Sequence, residues 1–256
     1  MPDPGKDFDP SGEWKAAFWR DWVEGEVPWR RYLASRQVEL ALRFLEPKAP
    51  MLVLDAGCGY GRLVHQLLAR VPGLSAVGVD ASESMLQEAR SRLKGRFVGA
   101  RAVLESLPFP NHAFDAVICI GVIMHVRDDA ASLRELGRVL KPGGTLVLSF
   151  NSLLSPFSVL GLLNNRLVRR RDSTFVARTP RHYIRRLKES GLRVTRSAAA
   201  TVICVEPTLP PLRRLGLRLM PQWLLSFLAP IDRLLSEGAF RWFGHEVLLL
   251  CRHDRT

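Results

Sequence analysis

Short apolar runs alternate along this chain with longer segments in which apolar residues recur every three or four positions. The runs predict strands near 51–55, 75–80, 97–103, 114–120 and 145–150. The periodic segments predict helices near 36–46, 61–70, 83–93 and 129–140. Strand and helix signals that alternate in this way favour a parallel sheet covered by helices, which is an α/β architecture.

The alternation is interrupted at 151–178 and then resumes with a helix signal. Thr179 is predicted to cap this helix, with Pro180 at its first position and Gly191 directly after its end. Two further strands are predicted at 192–205 and 246–251, separated by the long segment 206–245.

A glycine-rich turn follows the first predicted strand. That strand ends in Asp55, the turn contains Gly57, Gly59 and Gly61, and the next strand ends in Asp80. Parallel sheets bind ligands at the carboxyl ends of their strands. Glycines let the backbone turn tightly and approach a ligand closely. Because Asp80 is placed to accept hydrogen bonds from both hydroxyls of a ribose, the pattern predicts a site for an adenosine-containing cofactor.

The glycine spacing discriminates between cofactors. A dinucleotide fingerprint has Gly-x-Gly-x-x-Gly facing a pyrophosphate, whereas this turn has Gly-x-Gly-x-Gly with Asp55 two residues before it. An acidic group there suits an ammonium-bearing ligand better than a pyrophosphate. These residues resemble the first motif of the class I S-adenosylmethionine (SAM) methyltransferases, Asp-x-Gly-x-Gly-x-Gly. Segments 107–115 and 138–148 resemble the family's approaches to its fourth and fifth strands.

The resemblance implies a Rossmann-like, seven-stranded, mostly parallel sheet with an antiparallel last strand, helices on both faces and helical lid insertions. It divides the chain into an N-terminal cap segment (1–35), a SAM-binding core (36–150), a lid insertion (151–178), a continuation of the core (179–205), a helical lid insertion (206–245) and a last strand with its tail (246–256).

The resemblance also implies a set of SAM-binding residues. The glycines would face the methionine part, Asp80 would hold the ribose and Met85 would pack on the adenine. The family often has Asp where this chain has Val103, so the adenine amino group is assigned to Glu105 or to backbone carbonyls. Helix capping by Asp55 or by Asp80, and a plain core position for Met85, remain alternatives. The candidate set is Asp55, Gly57, Gly59, Tyr60, Asp80, Ala81, Met85, Leu104, Glu105 and Ile120.

His125 follows the predicted fourth strand and is the candidate general base. A base helps when the methyl acceptor is a hydroxyl, and histidine changes its protonation state near neutral pH. The alternative is a histidine that only hydrogen-bonds the backbone. Neither amino-group methylation of adenine or glutamine nor cytosine C5 methylation is favoured. The first lacks its Asn/Asp-Pro-Pro-aromatic motif, and the second lacks a cysteine after proline.

Basic residues are concentrated in one part of the chain, whose formal net charge is +12. The span 166–196 holds many arginines and few acids, so it could attract nucleic acid, anionic lipid headgroups or an acidic substrate, or form only a solvated surface. Segment 212–235 mixes arginines with Trp, Phe and Leu, and we expect two short helices broken near Pro221 and Pro230. Such a segment suits a membrane interface or a lid on the sheet.

These observations predict a SAM-dependent methyltransferase that acts on oxygen or carbon of a small or lipid-like acceptor. The alternatives are an NAD-type dehydrogenase and an RNA-binding module of methyltransferase-like fold. We expect a cytoplasmic location with peripheral contact to an anionic membrane, and nucleic acid is disfavoured as a partner. The four cysteines show no metal-ligand spacing, so no metal site is predicted.

Overall fold

The computed structural model describes residues 27–95, 97–167, 176–203 and 222–254. The helices are α1 (Pro28–Leu45), α2 (Arg62–Arg70), α3 (Glu83–Leu93), α4 (Asp129–Val139), α5 (Pro156–Leu167), α6 (Pro180–Glu189) and α7 (Gln222–Glu237). The strands are β1 (Leu52–Ala56), β2 (Ser75–Asp80), β3 (Val98–Arg101), β4 (Phe114–Cys119), β5 (Leu140–Asn151), β6 (Leu192–Thr201) and β7 (Glu246–His253). Short 3-10 turns occupy Ile123–His125 and Ala239–Phe243.

The strands form one seven-stranded sheet in the order β3-β2-β1-β4-β5-β7-β6. The last strand, β7, runs antiparallel to both of its neighbours, and the other pairings are parallel. The predicted fold class is therefore confirmed. We call the side on which the parallel strands end, and β7 begins, the carboxyl edge. Because the strand order reverses at β1 and β4, a ligand crevice is expected between their ends.

Apolar side chains cover both faces of the sheet. Buried residues of α1, α2, α3 and α7 pack on one face, among them Leu40, Leu67 and Leu225. Residues of α4 and α6, such as Leu133 and Leu187, pack on the other. The resulting two-layer core holds the strand ends in place, and with them the loops that carry the site.

Local sequence signals position most element ends. Helix α3 spans 83–93 as predicted. The Thr179 hydroxyl accepts from the backbone N–H of His182, and Gly191, at φ +72°, follows the end of α6. Helix α1 begins at Pro28 rather than near residue 36, because buried Trp29 and Leu33 extend its apolar stripe toward the N-terminus.

The predicted break near Pro230 is wrong. Helix α7 continues through this proline to Glu237. The other predicted break, near Pro221, lies in residues 204–221, outside the described part of the chain. A proline inside a helix removes one backbone hydrogen bond, and tertiary contacts can compensate for that loss. Here the buried residues Leu225 and Asp232 hold the helix on either side of Pro230.

Asp232 anchors α7 to the carboxyl edge. One of its carboxylate oxygens accepts from the Tyr32 hydroxyl (2.9 Å), and the other accepts from the Thr201 hydroxyl (3.1 Å). That second oxygen also accepts from the backbone N–H groups of Val202 (2.8 Å) and Ile203 (2.7 Å). These bonds tie α7 to α1 and to the end of β6.

Candidate cofactor and acceptor site

The glycine turn leads from the end of β1 into α2 and lies against the end of β2. The backbone N–H groups of Gly57 and Cys58 both donate to the Val79 carbonyl, at 2.8 and 2.9 Å. The N–H of Gly61 then donates to the Cys58 carbonyl (3.0 Å), which tightens the turn before α2 begins. The turn is thus fixed to β2 by main-chain hydrogen bonds and faces the β1–β4 crevice.

The Asp80 carboxylate fastens the same turn. One oxygen accepts from the Gly59 N–H at 2.8 Å, and the other accepts from the Ser82 N–H at 2.9 Å. The cap of α3 is Ser82, whose hydroxyl accepts from the Met85 N–H (3.2 Å). The capping alternative for Asp80 is therefore wrong. Its carboxylate lies at the end of β2, where the ribose was predicted.

The glycines of the crevice differ in what surrounds them. A Cβ on Gly57 would lie 2.3 Å from a methyl of Val122, so this glycine permits close contact with the loop after β4. A Cβ on Gly59 (φ +53°) or on Gly121 (φ +74°) would meet no heavy atom of the described residues within 4 Å. Two backbone segments therefore border open space at the ends of β1 and β4. This cradle fits a ligand that approaches the main chain closely.

Asp55 is a buried carboxyl next to this cradle. Its side chain is 4% exposed. Burial raises its pKa to about 7, while Arg62 acts to lower the pKa and Asp80 to raise it. A group whose pKa lies this close to neutrality becomes fully ionised when a cation binds beside it. The Asp55 carboxyl therefore suits the ammonium of SAM as an acceptor of hydrogen bonds.

A buried polar network, which the sequence did not predict, connects the glycine turn with the loop after β4. Arg62 donates to the Gln37 side-chain oxygen (2.8 Å), and Gln37 donates to the Glu246 carboxylate (2.6 Å). The Ser149 hydroxyl donates to the same carboxylate and accepts from the Gly121 N–H (2.7 Å). Burial raises the pKa of Glu246. Only the position of Arg62, directly after the glycine turn, could have signalled this network in advance.

The predicted adenine side of the site is partly assembled. Tyr60 and Met85 are each 5% exposed and pack together. The Arg92 guanidinium carbon lies 4.6 Å from the centre of the Tyr60 ring. Leu104 is buried in the core, and Ala81 and Ile120 are half-buried. The contact of Met85 with adenine stays a prediction.

Glu105 holds a loop in this structure. Its carboxylate accepts from the backbone N–H groups of Arg127 (2.9 Å) and Asp128 (3.2 Å). It thereby joins the segment after β3 to the segment that leads into α4. Its predicted contact with the adenine amino group stays a prediction.

His125 ends the 3-10 turn after β4, and its backbone N–H donates to the Val122 carbonyl (2.8 Å). A cavity of about 500 Å³ opens beside this turn, on the α4 and α6 face of the sheet. His125 is absent from its lining, and near the cavity the imidazole of His182 lies 2.8 Å from Asp129. The lining residues are Ile123, Val126, Arg127, Asp128, Asp129, Val176, Arg178 and Tyr183.

Comparison with known proteins decides which cofactor the crevice takes. Residues 54–148 match a family described as a methyltransferase domain. Residues 54–148 thus form a domain of the SAM-dependent methyltransferase type. Its cofactor is SAM, and the NAD-type alternative is not supported. The match spans the segment from β1 to β5 and so includes the glycine turn, Asp80 and the loop after β4.

Two relatives show how far the sequence likeness extends. A demethylmenaquinone methyltransferase of Thermus thermophilus is 41% identical over 128 residues, covering 48% of this chain and 54% of that protein. A ubiquinone/menaquinone biosynthesis C-methyltransferase of Syntrophotalea carbinolica is 39% identical over 108 residues, covering 41% and 46%. The matched part of this chain thus spans about half the length of these relatives.

Solved structures extend the likeness of fold over nearly the whole chain. A SAM-dependent methyltransferase of Thermotoga maritima superposes with a TM-score of 0.67 at 18% identity, covering 95% of this chain and 99% of its own. The [4+2]-cyclase SpnF superposes with a TM-score of 0.62 at 17% identity, covering 91% and 84%. Since one of these neighbours is named as a cyclase, the fold by itself does not specify a reaction.

Two further observations concern metals and membranes. Within the described residues, histidine, cysteine and carboxylate side chains form no group of three that could hold a metal ion. None of the helices in the described part of the chain combines the length and apolar character needed to cross a bilayer.

Replacing Asp80 with Asn should weaken SAM binding about tenfold to a hundredfold. The variant keeps the shape of the side chain but loses its charge, and hydrogen bonds to charged groups contribute roughly 1.5–3 kcal/mol. Calorimetric titration with SAM measures the effect. The matched control is Asp115→Asn, since Asp115 also accepts a backbone N–H (from Leu52, 2.9 Å) but lies at the opposite edge of the sheet. Equal SAM affinity in the two variants would contradict the ribose assignment.

Replacing Gly59 with Ala should lower SAM affinity at least tenfold, because the added methyl projects into the cradle. Gly95→Ala is the control: Gly95 has φ +75° and, like Gly59, no described heavy atom within 4 Å of an added Cβ, but it follows α3. Both variants should lose roughly 1–2 kcal/mol of unfolding free energy, because alanine is strained at positive φ. Thermal unfolding and SAM titration of both proteins separate the two effects. A Gly59→Ala protein that binds SAM as tightly as Gly95→Ala would show that the cradle is not the cofactor site.

SAM binding at pH 6 should release close to one proton from Asp55. The carboxyl is largely protonated there because its pKa is about 7, and a bound ammonium favours the ionised form. Affinity should therefore rise as the pH increases from 5.5 to 7.5. Calorimetry in buffers of different ionisation enthalpy counts the protons, with Asp55→Asn as the variant that cannot release one. Equal proton release by wild type and Asp55→Asn would refute the assignment.

Proposed function

We propose that this protein transfers a methyl group from SAM to oxygen or carbon of a small, lipid-like acceptor. The observation that carries the proposal is the hydrogen bond from the Gly59 N–H to the Asp80 carboxylate. It lies beside the open space that Gly59 and Gly121 border. The family match supports the reaction class. The names of two relatives refer to quinones, which supports an acceptor of that kind.

Each side of the cradle has a distinct task in this proposal. Bound SAM supplies an activated methyl on a sulfonium. Asp80 accepts hydrogen bonds from the ribose hydroxyls, and the Asp55 carboxylate faces the ammonium. The glycine turn lets the main chain approach the methionine part without Cβ contacts. Tyr60 and Met85 form the apolar side against the adenine ring.

The loop after β4 directs the acceptor. Gly121 is held by Ser149, and Val122 packs on Gly57, so the loop that ends in His125 is fixed against the glycine turn. Holding an acceptor in line with the methyl can supply most of the rate acceleration. If the acceptor is a hydroxyl, His125 takes its proton as the methyl transfers.

The surroundings of the cavity fit a partly apolar acceptor. Ile123, Val126 and Val176 form apolar wall, and Asp128 and Asp129 supply acceptors for a polar head. A lipid-like acceptor resides in a bilayer. We therefore place the protein in the cytoplasm, with peripheral contact to a membrane.

Methyl-labelled SAM, incubated with the protein and with quinone, lipid and small aromatic extracts, tests this function. Label should enter the lipid-like fraction, and label confined to polar metabolites would contradict the acceptor class. In the same assay His125→Ala should slow transfer to a hydroxyl acceptor ~10²–10⁴-fold while SAM affinity stays unchanged. His65→Ala, on the exposed side of α2, is the control. A His125→Ala rate equal to that of the control would assign His125 a structural role.

A further inference from the structure

Helix α7 is apolar on both of its sides, because Leu225 is buried in the core while the largest exposed side chains of the helix are also apolar. Its buried side includes the polar residues Asp232 and Ser236. Its most exposed large side chains are Trp223 (72%), Phe227 (70%) and Leu234 (76%). A surface helix normally turns its apolar stripe toward the core. Something other than the described core is therefore expected to cover this side of α7.

The exposed residues form one continuous stripe. With 3.6 residues per turn, Trp223, Phe227, Ile231 and Leu234 fall within an arc of about 80°. Phe240 and Phe243, in the 3-10 turn that follows α7, are 55% and 47% exposed. We call these six residues the apolar face. Isolated exposed apolar residues are common on proteins, but a contiguous group of this kind marks an interaction site.

The apolar face is carried on a firm support. Asp232 ties α7 to β6 and α1 through four hydrogen bonds. Glu237, at the end of the helix, pairs with Arg43 (2.9 Å) and Arg36 (3.6 Å) of α1. The exposed stripe therefore keeps its orientation without a partner.

The apolar face also belongs to the edge of the sheet that carries the cofactor site. Leu224 and Leu228 of α7 pack in the same cluster as Phe157 of α5. The Ser152 hydroxyl, between β5 and α5, donates to the carbonyl of Trp242 (2.7 Å) in the 3-10 turn. The segment that leads into α5 and the 3-10 turn that follows α7 are thus joined at the carboxyl edge.

The stretches of sequence next to the apolar face carry charge of one sign. Segments 151–171, 207–231 and 238–245 contain no aspartate or glutamate. They contain eight arginines: Arg166, Arg169, Arg170, Arg171, Arg213, Arg214, Arg218 and Arg241. Both acidic residues of α7 are engaged, since Asp232 accepts four hydrogen bonds and Glu237 is ion-paired. Apolar side chains that are flanked in the sequence by arginine match an anionic lipid surface, which attracts both aromatic rings and basic residues.

We infer that the apolar face docks the protein on an anionic lipid bilayer and so brings the carboxyl edge to the membrane surface. This inference rests on the proposed function only in naming the source of a lipid-like acceptor. The surface itself follows from the exposed apolar stripe of α7, and the choice of an anionic bilayer follows from the arginines that flank this stripe in the sequence.

Sedimentation of the full-length protein with vesicles tests the docking. Wild type should bind phosphatidylserine/phosphatidylcholine vesicles, bind pure phosphatidylcholine more weakly and be released as salt rises. The double variant W223E/F227E should lower the partition coefficient at least tenfold. The control V98E also replaces an exposed apolar residue with glutamate, but on β3, which is at the other end of the sheet from β6. The SAM affinity of each variant verifies its fold.

Three outcomes would overturn the inference. In the first, wild type does not bind anionic vesicles even at low salt. In the second, W223E/F227E partitions between vesicles and solution in the same way as V98E. Alternatively, gel filtration would show a dimer of wild type that W223E/F227E dissolves, without vesicle binding, so that a second copy covers the face. Because no acceptor is present in this assay, loss of vesicle binding leaves the proposed methyl transfer standing. Failed transfer with intact vesicle binding would count against the acceptor alone.

Arginine reversal separates charge from apolar insertion. The variant R169E/R170E/R171E should weaken binding to anionic vesicles while leaving SAM affinity unchanged, because these residues are outside the cofactor motifs. They lie outside the described residues, so this arm tests the expectation drawn from the sequence.

Discussion

The two backbone hydrogen bonds accepted by Asp80 are the constraint on which the cofactor site depends. One fastens the glycine turn at Gly59 and the other fastens the entry to α3 at Ser82. A carboxylate offers about four acceptor positions, so the same side chain that organises the turn can also meet a ribose. In the proposed function one residue thus serves both structure and recognition, and hydrogen bonds within the protein give the glycine turn its shape.

Behind this turn, a buried polar network connects elements that are far apart in the chain. Gln37 of α1 and Glu246 of β7 meet across 209 residues, and Arg62 and Ser149 extend the network to the glycine turn and to Gly121. Burying these groups is favourable only because they satisfy one another. The network thereby fixes both walls of the crevice relative to each other, and burial raises the pKa of Asp55 beside them toward neutrality.

On the outer side of the same edge, the orientation of α7 depends on one buried carboxylate. Asp232 directs its carboxylate inward to the unpaired N–H groups at the end of β6, and this forces the aromatic side of α7 outward. A buried carboxylate is tolerated because four donors surround it. The exposed Trp and Phe side chains are thus a consequence of how α7 is anchored, and they give this helix an apolar outer surface.

The sequence by itself determined the features that depend on neighbours within a few residues. The limits of α3, the Thr179 cap, the Gly191 stop, the end of β1 within one residue of Asp55 and the end of β2 at Asp80 all come from local propensity, capping and hydrophobic period. Tertiary structure alone decided what depends on distant partners: the Arg62–Gln37–Glu246 network, the continuity of α7 through Pro230 and the outward direction of its aromatic stripe. Periodicity reveals that a helix has two sides, but which side is buried depends on the donors and apolar surfaces that it meets. For α7 those donors are the backbone N–H groups at the end of β6.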